Sequence, residues 1–235
     1  AKVCFSMVKI KIHPKGWPFI ICFAALTSLF FSIGGLTGQI LGSTGSLLTI
    51  WCAYFFRDPD RITPIGPDLL ISPADGLIQS VKDCLPPEEL GMKTKTMRRV
   101  SVFMNVFDCH VNRSPVDGKI RNSAYFPGKF FNASLDKASV DNERRSLRIS
   151  LNDDTEIAVV QIAGLIARRI VSWVPDGMDI KAGERFGLIR FGSRVDVYLP
   201  STSTVLVVEG QKAIAGETVI ARLNSEDEDR KGGVR

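Results

Sequence analysis

The sequence predicts a mainly β body of the α+β class, a sandwich or barrel, preceded by an apolar helical hairpin. Three observations predict it. Residues 21–56 contain no charged side chain. After Phe56, short runs rich in β-branched and aromatic residues recur between Gly, Pro, Asn and Asp. Two turn sequences also repeat: Ser72-Pro73-Ala74-Asp75-Gly76 is echoed by Ser114-Pro115-Val116-Asp117-Gly118, and Lys181-Ala182-Gly183-Glu184 by Ile214-Ala215-Gly216-Glu217. Each reads as a tight turn feeding a strand. The second pair is similar to the hairpins of biotinyl and lipoyl carrier domains, although no carrier lysine stands at either turn.

The hairpin comes first. Trp17–Ile33 is apolar, Gly34 to Gly38 is a break, and Gln39–Phe56 is apolar again. Each run just reaches the ~17–25 residues that span a bilayer. Lys2, Lys9, Lys11 and Lys15 precede the pair, and Arg57 and Arg61 follow it. Positive residues at both ends predict that both ends lie on the cytoplasmic side. Trp17, Trp51 and Tyr54 suit the interfaces. A signal peptide fits poorly, because a second apolar run follows the first. The alternative is a helical pair in a soluble core. Gly42-Ser43-Thr44-Gly45-Ser46 makes the second run polar enough for a re-entrant or interfacial placement.

In the body, the expected strands are Leu69–Ser72, Gly76–Lys82, Arg99–Val106, Gly118–Phe126, Leu147–Leu151, Glu156–Ile166, Phe186–Phe191, Val195–Leu199 and Thr204–Val208. One helix is expected near Ala133–Arg145. Residues 224–235 form a charged, frayed tail. The predicted organisation is therefore a flank and anchor over 1–56, a catalytic domain over 57–223, and the tail.

Of the formal charge of +5, four units belong to the lysines of the N-terminal flank; the rest has 26 basic and 25 acidic residues. A body this close to neutral argues against a nucleic-acid partner. The five cysteines are odd in number and form no CxxC, which indicates reduced thiols rather than a disulfide framework.

Chemistry centres on Gly192-Ser193, which joins two alternating strands. A serine after a flexible glycine can turn its hydroxyl on the preceding carbonyl, starting an N-to-O acyl shift that breaks the backbone and can leave a pyruvoyl group. The body has one histidine, His110, so any imidazole chemistry must use it; His13 lies among the flanking lysines. Cys109 beside His110 suggests a thiol nucleophile, but neighbours on an extended segment face opposite ways. Asp75 and Asp117 lie in matching turns, and the residues alone do not choose between them.

Four motifs then come together: Ser-Pro-Ala-Asp-Gly at 72–76, Phe-Met-Asn-Val-Phe-Asp-Cys-His-Val-Asn-Arg-Ser-Pro-Val-Asp-Gly at 103–118, Asn-Ala-Ser-Leu-Asp-Lys-Ala-Ser at 132–139, and Arg-Phe-Gly-Ser-Arg-Val-Asp-Val-Tyr-Leu-Pro at 190–200. In this order they resemble the phosphatidylserine decarboxylase family, in its short bacterial form, from about Phe55 to about Leu223. The resemblance implies a proenzyme cut between Gly192 and Ser193, with Ser193 becoming a pyruvoyl group. It implies no metal and no pyridoxal phosphate. By motif it assigns Asp75, His110 and Ser193 to maturation, with Asp75 taken over Asp117. Leu41-Gly42-Ser43-Thr44 matches the cut site of many members more literally than Phe-Gly-Ser-Arg does, but it lies in the apolar run with no flanking strands.

The implied reaction converts membrane phosphatidylserine to phosphatidylethanolamine and carbon dioxide. The substrate amine would condense with the pyruvoyl carbonyl, which serves as the electron sink. The large and small chains of the proenzyme would stay associated, at the cytoplasmic face of the bacterial membrane. The resemblance leaves a homo-oligomer open. Lys93, Lys95, Arg98 and Arg99 form a basic stretch that reads either as a solvated loop or as a surface for anionic headgroups. Competing readings are a decarboxylase for another serine lipid, a membrane-tethered carrier or binding module, and a protease-like protein that acts on other chains.

Overall fold

The computed structural model describes residues 10–92, 96–134, 138–151, 155–165, 169–190, 192–224 and 230. Two compact units divide at Asp60 and Arg61.

The first unit holds β1 (Ile10–Ile12), α1 (Trp17–Ser32), α2 (Gly35–Phe55) and β2 (Arg57–Pro59). The helices form the expected hairpin, turning at Gly34 and Gly35, whose φ values of 72° and 62° favour glycine. Gly38, Gly42 and Gly45 recur at helical spacing and are buried. A Cβ on Gly42 would lie 2.5 Å from the Phe31 ring, and one on Gly45 would lie 2.5 Å from Thr27 Oγ1. The small residues thus let the two helix backbones approach closely, as packed membrane helices do. The Leu-Gly-Ser-Thr run at 41–44 lies in mid-helix; Gly42 is buried in this packing, and Leu41, Ser43 and Thr44 are exposed.

The outward surface is apolar: Ile21, Leu29, Leu36, Ile40, Leu47 and Ile50 are all well exposed. Residues Pro14–Ser32 are long and apolar enough to cross a bilayer. At ~1.5 Å per residue they reach ~28 Å, close to the hydrocarbon thickness. Among the described residues α2, with its Gly, Ser and Thr content, does not meet the same measure. Antiparallel pairing of β1 with β2, Ile10 opposite Pro59 and Ile12 opposite Arg57, brings both ends of the hairpin together.

The second unit runs β3 (Leu69–Ile71), β4 (Gly76–Cys84), β5 (Met97–Met104), β6 (Val111–Arg113), β7 (Gly118–Phe126), α3 (Ala138–Asp141), β8 (Arg144–Ser150), β9 (Glu156–Ala163), β10 (Ile170–Ser172), β11 (Asp179–Ile180), β12 (Arg185–Ile189), β13 (Ser193–Pro200), β14 (Thr204–Val205), β15 (Lys212–Ala213) and β16 (Val219–Arg222). An eight-stranded antiparallel sheet has the order β11-β7-β8-β9-β13-β5-β4-β15. Two three-stranded sheets, β10-β12-β6 and β14-β16-β3, contribute to a core shared with it. The body is mainly β, as expected.

The strand order reads the same outward from the middle, β9-β8-β7-β11 on one side and β13-β5-β4-β15 on the other. The equivalence extends to single residues. Gly76 pairs with Ala213 as Gly118 pairs with Ile180. Register breaks between Ile78 and Ser80 and again between Ile120 and Asn122. The repeated turns noted in the sequence are therefore the corners of two similar halves. One half is continuous from β6 to β12; the other is split around it. The chain crosses between halves twice, at 105–110 and at 190–192.

Several expectations change. Of the helix expected over Ala133–Arg145, the described residues are helical at Ala138–Asp141; Arg144 and Arg145 already belong to β8, where pairing in the sheet wins over helix propensity. Arg99 does not face outward: it is 7% exposed, within 4.0 Å of Asp196, and Arg98 pairs with Asp83 at 3.1 Å. Lys93, Lys95, Phe191 and most of the tail lie outside the described residues. None of Cys22, Cys52, Cys84 and Cys109 is in a disulfide.

Candidate active site

β13 begins at Ser193 and alternates strictly. Val195, Val197 and Leu199 face the main core, whereas Tyr198 joins a second cluster on the other face of the sheet. Period two puts Ser193 on the core side. It is fully buried, and its Oγ has no hydrogen-bond partner among the described residues. An unsatisfied buried hydroxyl costs ~1–3 kcal/mol; the hydroxyls of Ser101, Ser172 and Ser203 are likewise buried without a partner among the described residues, and Ser193 differs from them in following Gly192. Ser193 pairs with Ala163 of β9 on one side and Met104 of β5 on the other.

Gly192 has φ 63°, left-handed geometry that glycine adopts without strain. A Cβ on it would meet nothing within 4 Å, so its backbone conformation, not crowding, calls for glycine. Gly164 is the opposite case. A Cβ there would sit 2.2 Å from the Gly192 carbonyl oxygen, so only glycine lets that carbonyl occupy its position.

His110 ends the first crossing and is fully buried. Its Nδ1 lies 2.9 Å from the Asp108 carbonyl oxygen, and the Gly192 N–H donates to its Nε2 at 3.3 Å. A carbonyl can only accept and an N–H can only donate, which assigns the proton to Nδ1 and leaves Nε2 as the basic nitrogen. The basic nitrogen thus faces the amide one residue before Ser193. Cys109, next in the chain, is also buried.

Asp75 precedes β4. Ile71 N–H donates to Pro115 O and Arg113 N–H to Pro73 O, both at 2.9 Å, which ties the turn that carries Asp75 to β6, the strand that follows His110. The Asp75 carboxylate accepts from Arg61 at 3.1 and 2.8 Å and from the Ala215 N–H at 2.8 Å. Asp117 is its counterpart, accepting from the Ala182 N–H at 2.7 Å. The equivalent of His110 in that half, immediately before β3, is Asp68, with φ 61°.

Sequence reasoning missed several supports. Arg194 is 1% exposed; it donates to Ala133 O at 2.9 Å and to Asp196 Oδ2 at 3.0 Å, and also bonds Ser139. It ties the 132–139 motif to the residue after Ser193. Asn142 clasps Ala163 O at 2.7 Å and Phe131 O at 2.8 Å. Gln161 donates to Asn112 at 2.8 Å. A buried ion pair two residues apart on a strand, as Arg194 and Asp196 are, is the one signal the sequence offered.

The matching of known sequences agrees with this geometry. The family model described as phosphatidylserine decarboxylase matches residues 48–221, spanning both crossings and the Gly-Ser joint. The chain is 56% identical over 212 residues to a phosphatidylserine decarboxylase proenzyme of Ruegeria pomeroyi, covering 90% of this chain and 95% of that one. It is 55% identical over 224 residues to the proenzyme of Cereibacter sphaeroides, 95% of each chain, and 56% identical over 216 residues to that of Nitrobacter winogradskyi, 92% of this chain and 86% of that one. With the model matching most of the chain and relatives aligned nearly end to end, the chain belongs to the phosphatidylserine decarboxylase family.

Proposed function

We propose that this chain is a proenzyme that cuts itself between Gly192 and Ser193 and, with a pyruvoyl group formed from Ser193, decarboxylates phosphatidylserine to phosphatidylethanolamine. The observation that carries the reading is the unpartnered, buried Ser193 Oγ next to an amide held by the basic nitrogen of the body's single histidine. Other buried serine hydroxyls, those of Ser101, Ser172 and Ser203, also lack a partner among the described residues; what sets Ser193 apart is its place after Gly192, whose N–H meets His110.

In maturation, His110 Nε2 takes the Ser193 hydroxyl proton and the oxygen attacks the Gly192 carbonyl carbon. The Gly192–Ser193 amide becomes an ester, and the freed nitrogen gains a proton. Elimination then breaks the ester Cβ–O bond, leaving Gly192 as a carboxylate and residue 193 as an enamine, which water converts to the ketone with release of ammonia. Gly164 leaves room for the attacked carbonyl, and Asp75, fixed by Arg61 and Ala215, buttresses the strand end that carries His110.

Residue 193 suits the group that results. Its neighbours in the ladder are Ala163 and Met104, and Arg194 is locked by Ala133 and Asp196, so cutting the Gly192 bond leaves it in place between two strands. The pyruvoyl carbonyl supplies an electron sink for the lipid's α-carbon as carbon dioxide leaves. His110 is then the proton donor within the site. The two chains stay joined because β13 lies between β9 and β5, both from the larger chain.

The apolar hairpin anchors the protein, with its two ends on the cytoplasmic side beside Lys15 and Arg57. A diacyl lipid stays in its bilayer, so an anchored enzyme meets it there. The test combines the intact mass of the purified protein with carbon dioxide release from carboxyl-labelled phosphatidylserine. We expect fragments of 192 and 43 residues from the 235-residue chain, the smaller one blocked at its N-terminus. An uncut protein that still releases carbon dioxide would refute the reading.

A further inference from the structure

β5 and β9 flank β13 and both run antiparallel to it, so both end at the edge where Ser193 begins. Their following loops therefore leave the sheet on either side of Gly192, about two strand spacings or ~10 Å apart. Each loop presents a large apolar side chain to solvent: Phe107, three residues after Met104, is 61% exposed, and Leu165, two residues after Ala163, is 67% exposed. A third, Phe131, is 41% exposed and is tied to the same edge by Asn142, which bonds both Phe131 O and Ala163 O.

Cations share this edge. Arg169 is exposed, and the Arg190 N–H donates to its carbonyl at 3.3 Å, two residues before Gly192. Burial first, and then the nearby Arg169 charge, pull the Arg190 guanidinium below its ordinary value. Lys129 is exposed and lies 5.6 Å from the Phe131 ring centroid. The acids among these segments are Asp108, whose carboxylate accepts from the Asn105 N–H, Asp141, and Glu143, which is 5% exposed.

The turn after β5 is fixed by its own hydrogen bonds. Asn105 Oδ1 accepts from the Phe107 N–H at 2.8 Å, and Asp108 Oδ2 from the Asn105 N–H at 2.9 Å, which fixes the turn that carries Phe107. Apolar tips beside basic side chains, at the sheet edge where the buried Ser193 begins, match an anionic bilayer surface: tips enter the acyl boundary and cations stay at the headgroups.

We propose that Phe107, Leu165 and Phe131, with Arg169, Arg190 and Lys129, form a rim on the catalytic body that docks on anionic lipid and brings the Gly192–Ser193 edge onto the membrane, apart from the anchoring by the helical hairpin. This rests on the decarboxylase reading for its purpose but not for its test.

The test uses the full-length chain in vesicles of equal phosphatidylglycerol and phosphatidylcholine. Phe107→Trp, labelled with 5-fluorotryptophan, adds one fluorine resonance to those of Trp17, Trp51 and Trp173. We expect this resonance to broaden when shallow spin-labelled lipid is included, and to broaden less in phosphatidylcholine alone. That readout needs no decarboxylation, so it stands even if the activity assignment fails. In activity, Phe107→Ser/Leu165→Ser should lower kcat/KM for phosphatidylserine in vesicles by at least ~10-fold, the loss of two inserted apolar side chains. Turnover of a short-chain, monomeric phosphatidylserine should stay within about twofold, and self-cleavage should remain complete. An unbroadened resonance would overturn the proposal. So would an equal loss on both substrates, which would make the loops part of the site itself. A resonance that shifts with protein concentration but not with spin-labelled lipid would assign the rim to a second copy of the chain, and would also overturn it.

Discussion

The Gly192 amide donates to His110 Nε2 at 3.3 Å, and the two residues stand on the two links by which the chain crosses between its similar halves. This explains why a repeated fold has a single reactive centre. Each half has its own Asp-Gly corner and its own Ala-Gly-Glu turn, but the crossings occur once. Replacing His110 by Ala should slow self-cleavage by on the order of 10²–10⁴-fold, the usual contribution of a positioned base. Ser193→Ala should give a single full-length band. Complete cleavage of His110→Ala on a gel would point to a different base.

Gly164 gives a sharper test, because it touches no proton. A Cβ there would meet the Gly192 carbonyl oxygen at 2.2 Å, well inside contact distance. Gly164→Ala should therefore displace the attacked carbonyl and slow cutting by at least ~10-fold, as small misplacements of reacting atoms do. The substitution leaves His110 and the hydrogen-bond donors around it in place, so far-ultraviolet circular dichroism should match the parent. Unchanged cleavage kinetics would show that the carbonyl moves before attack.

How much of this was legible in the sequence follows from the range of the interactions. Alternation along β13 and the Gly-Ser joint are local, and the hairpin follows from an uncharged run with glycines at helical spacing. The echo between 72–76 and 114–118 was visible, but the symmetry behind it was not, because one half is inserted in the other and pairing partners lie far apart in sequence. Arg61 on Asp75, Asn142 on Ala163 and Ala133 on Arg194 are long-range contacts with no local signature. The helix expected near 133–145 is present at Ala138–Asp141 but gives way to β8 at Arg144, because partners in the sheet outweigh local propensity.

Asp75 and Asp117 make a matched pair for experiment. Both accept an N–H from an equivalent alanine, Ala215 at 2.8 Å and Ala182 at 2.7 Å, but only Asp75 also holds Arg61, and its turn is bonded through Pro73 to β6, the strand after His110. Asp117→Ala should lose about 1 kcal/mol of stability from its hydrogen bond and still cleave within about twofold. Asp75→Ala should impair cleavage, measured as the fraction of small chain formed over time. Equal effects on maturation would mean that these aspartates only build turns.

Glu89 links the 88–90 turn to β8. Burial alone would raise its carboxyl, but hydrogen bonds from Arg144 and Ser146, with the Arg144 charge, outweigh this and hold it below the ordinary value. A carboxylate depressed by folding adds stability above its unfolded pKa, and loses it as pH falls through the folded one. Glu89→Gln should therefore unfold about 1–3 kcal/mol more easily at pH 7, with the difference from the parent narrowing below about pH 4. Thermal melts at the two pH values check this; a gap independent of pH would show that packing, not charge, is what Glu89 contributes.

The last prediction concerns the anchor. Gly42 lies where a side chain would enter the Phe31 ring at 2.5 Å, within the buried stripe of Gly38, Gly42 and Gly45. Leucine there keeps the run apolar and long enough to stay in lipid, so hydropathy predicts no change. Packing predicts that α1 and α2 separate, since close backbone approach is what small residues at a membrane helix contact provide. Cysteine pairs placed at 27 and 49, where Thr27 Oγ1 and Thr49 Oγ1 lie 3.4 Å apart, should crosslink readily in the parent and several-fold more slowly in Gly42→Leu. Self-cleavage should be unaffected in both, because Gly192, Ser193 and His110 all belong to the second compact unit. Undiminished crosslinking would mean that the hairpin is held by its ends, through the β1–β2 pairing, rather than by the glycine stripe.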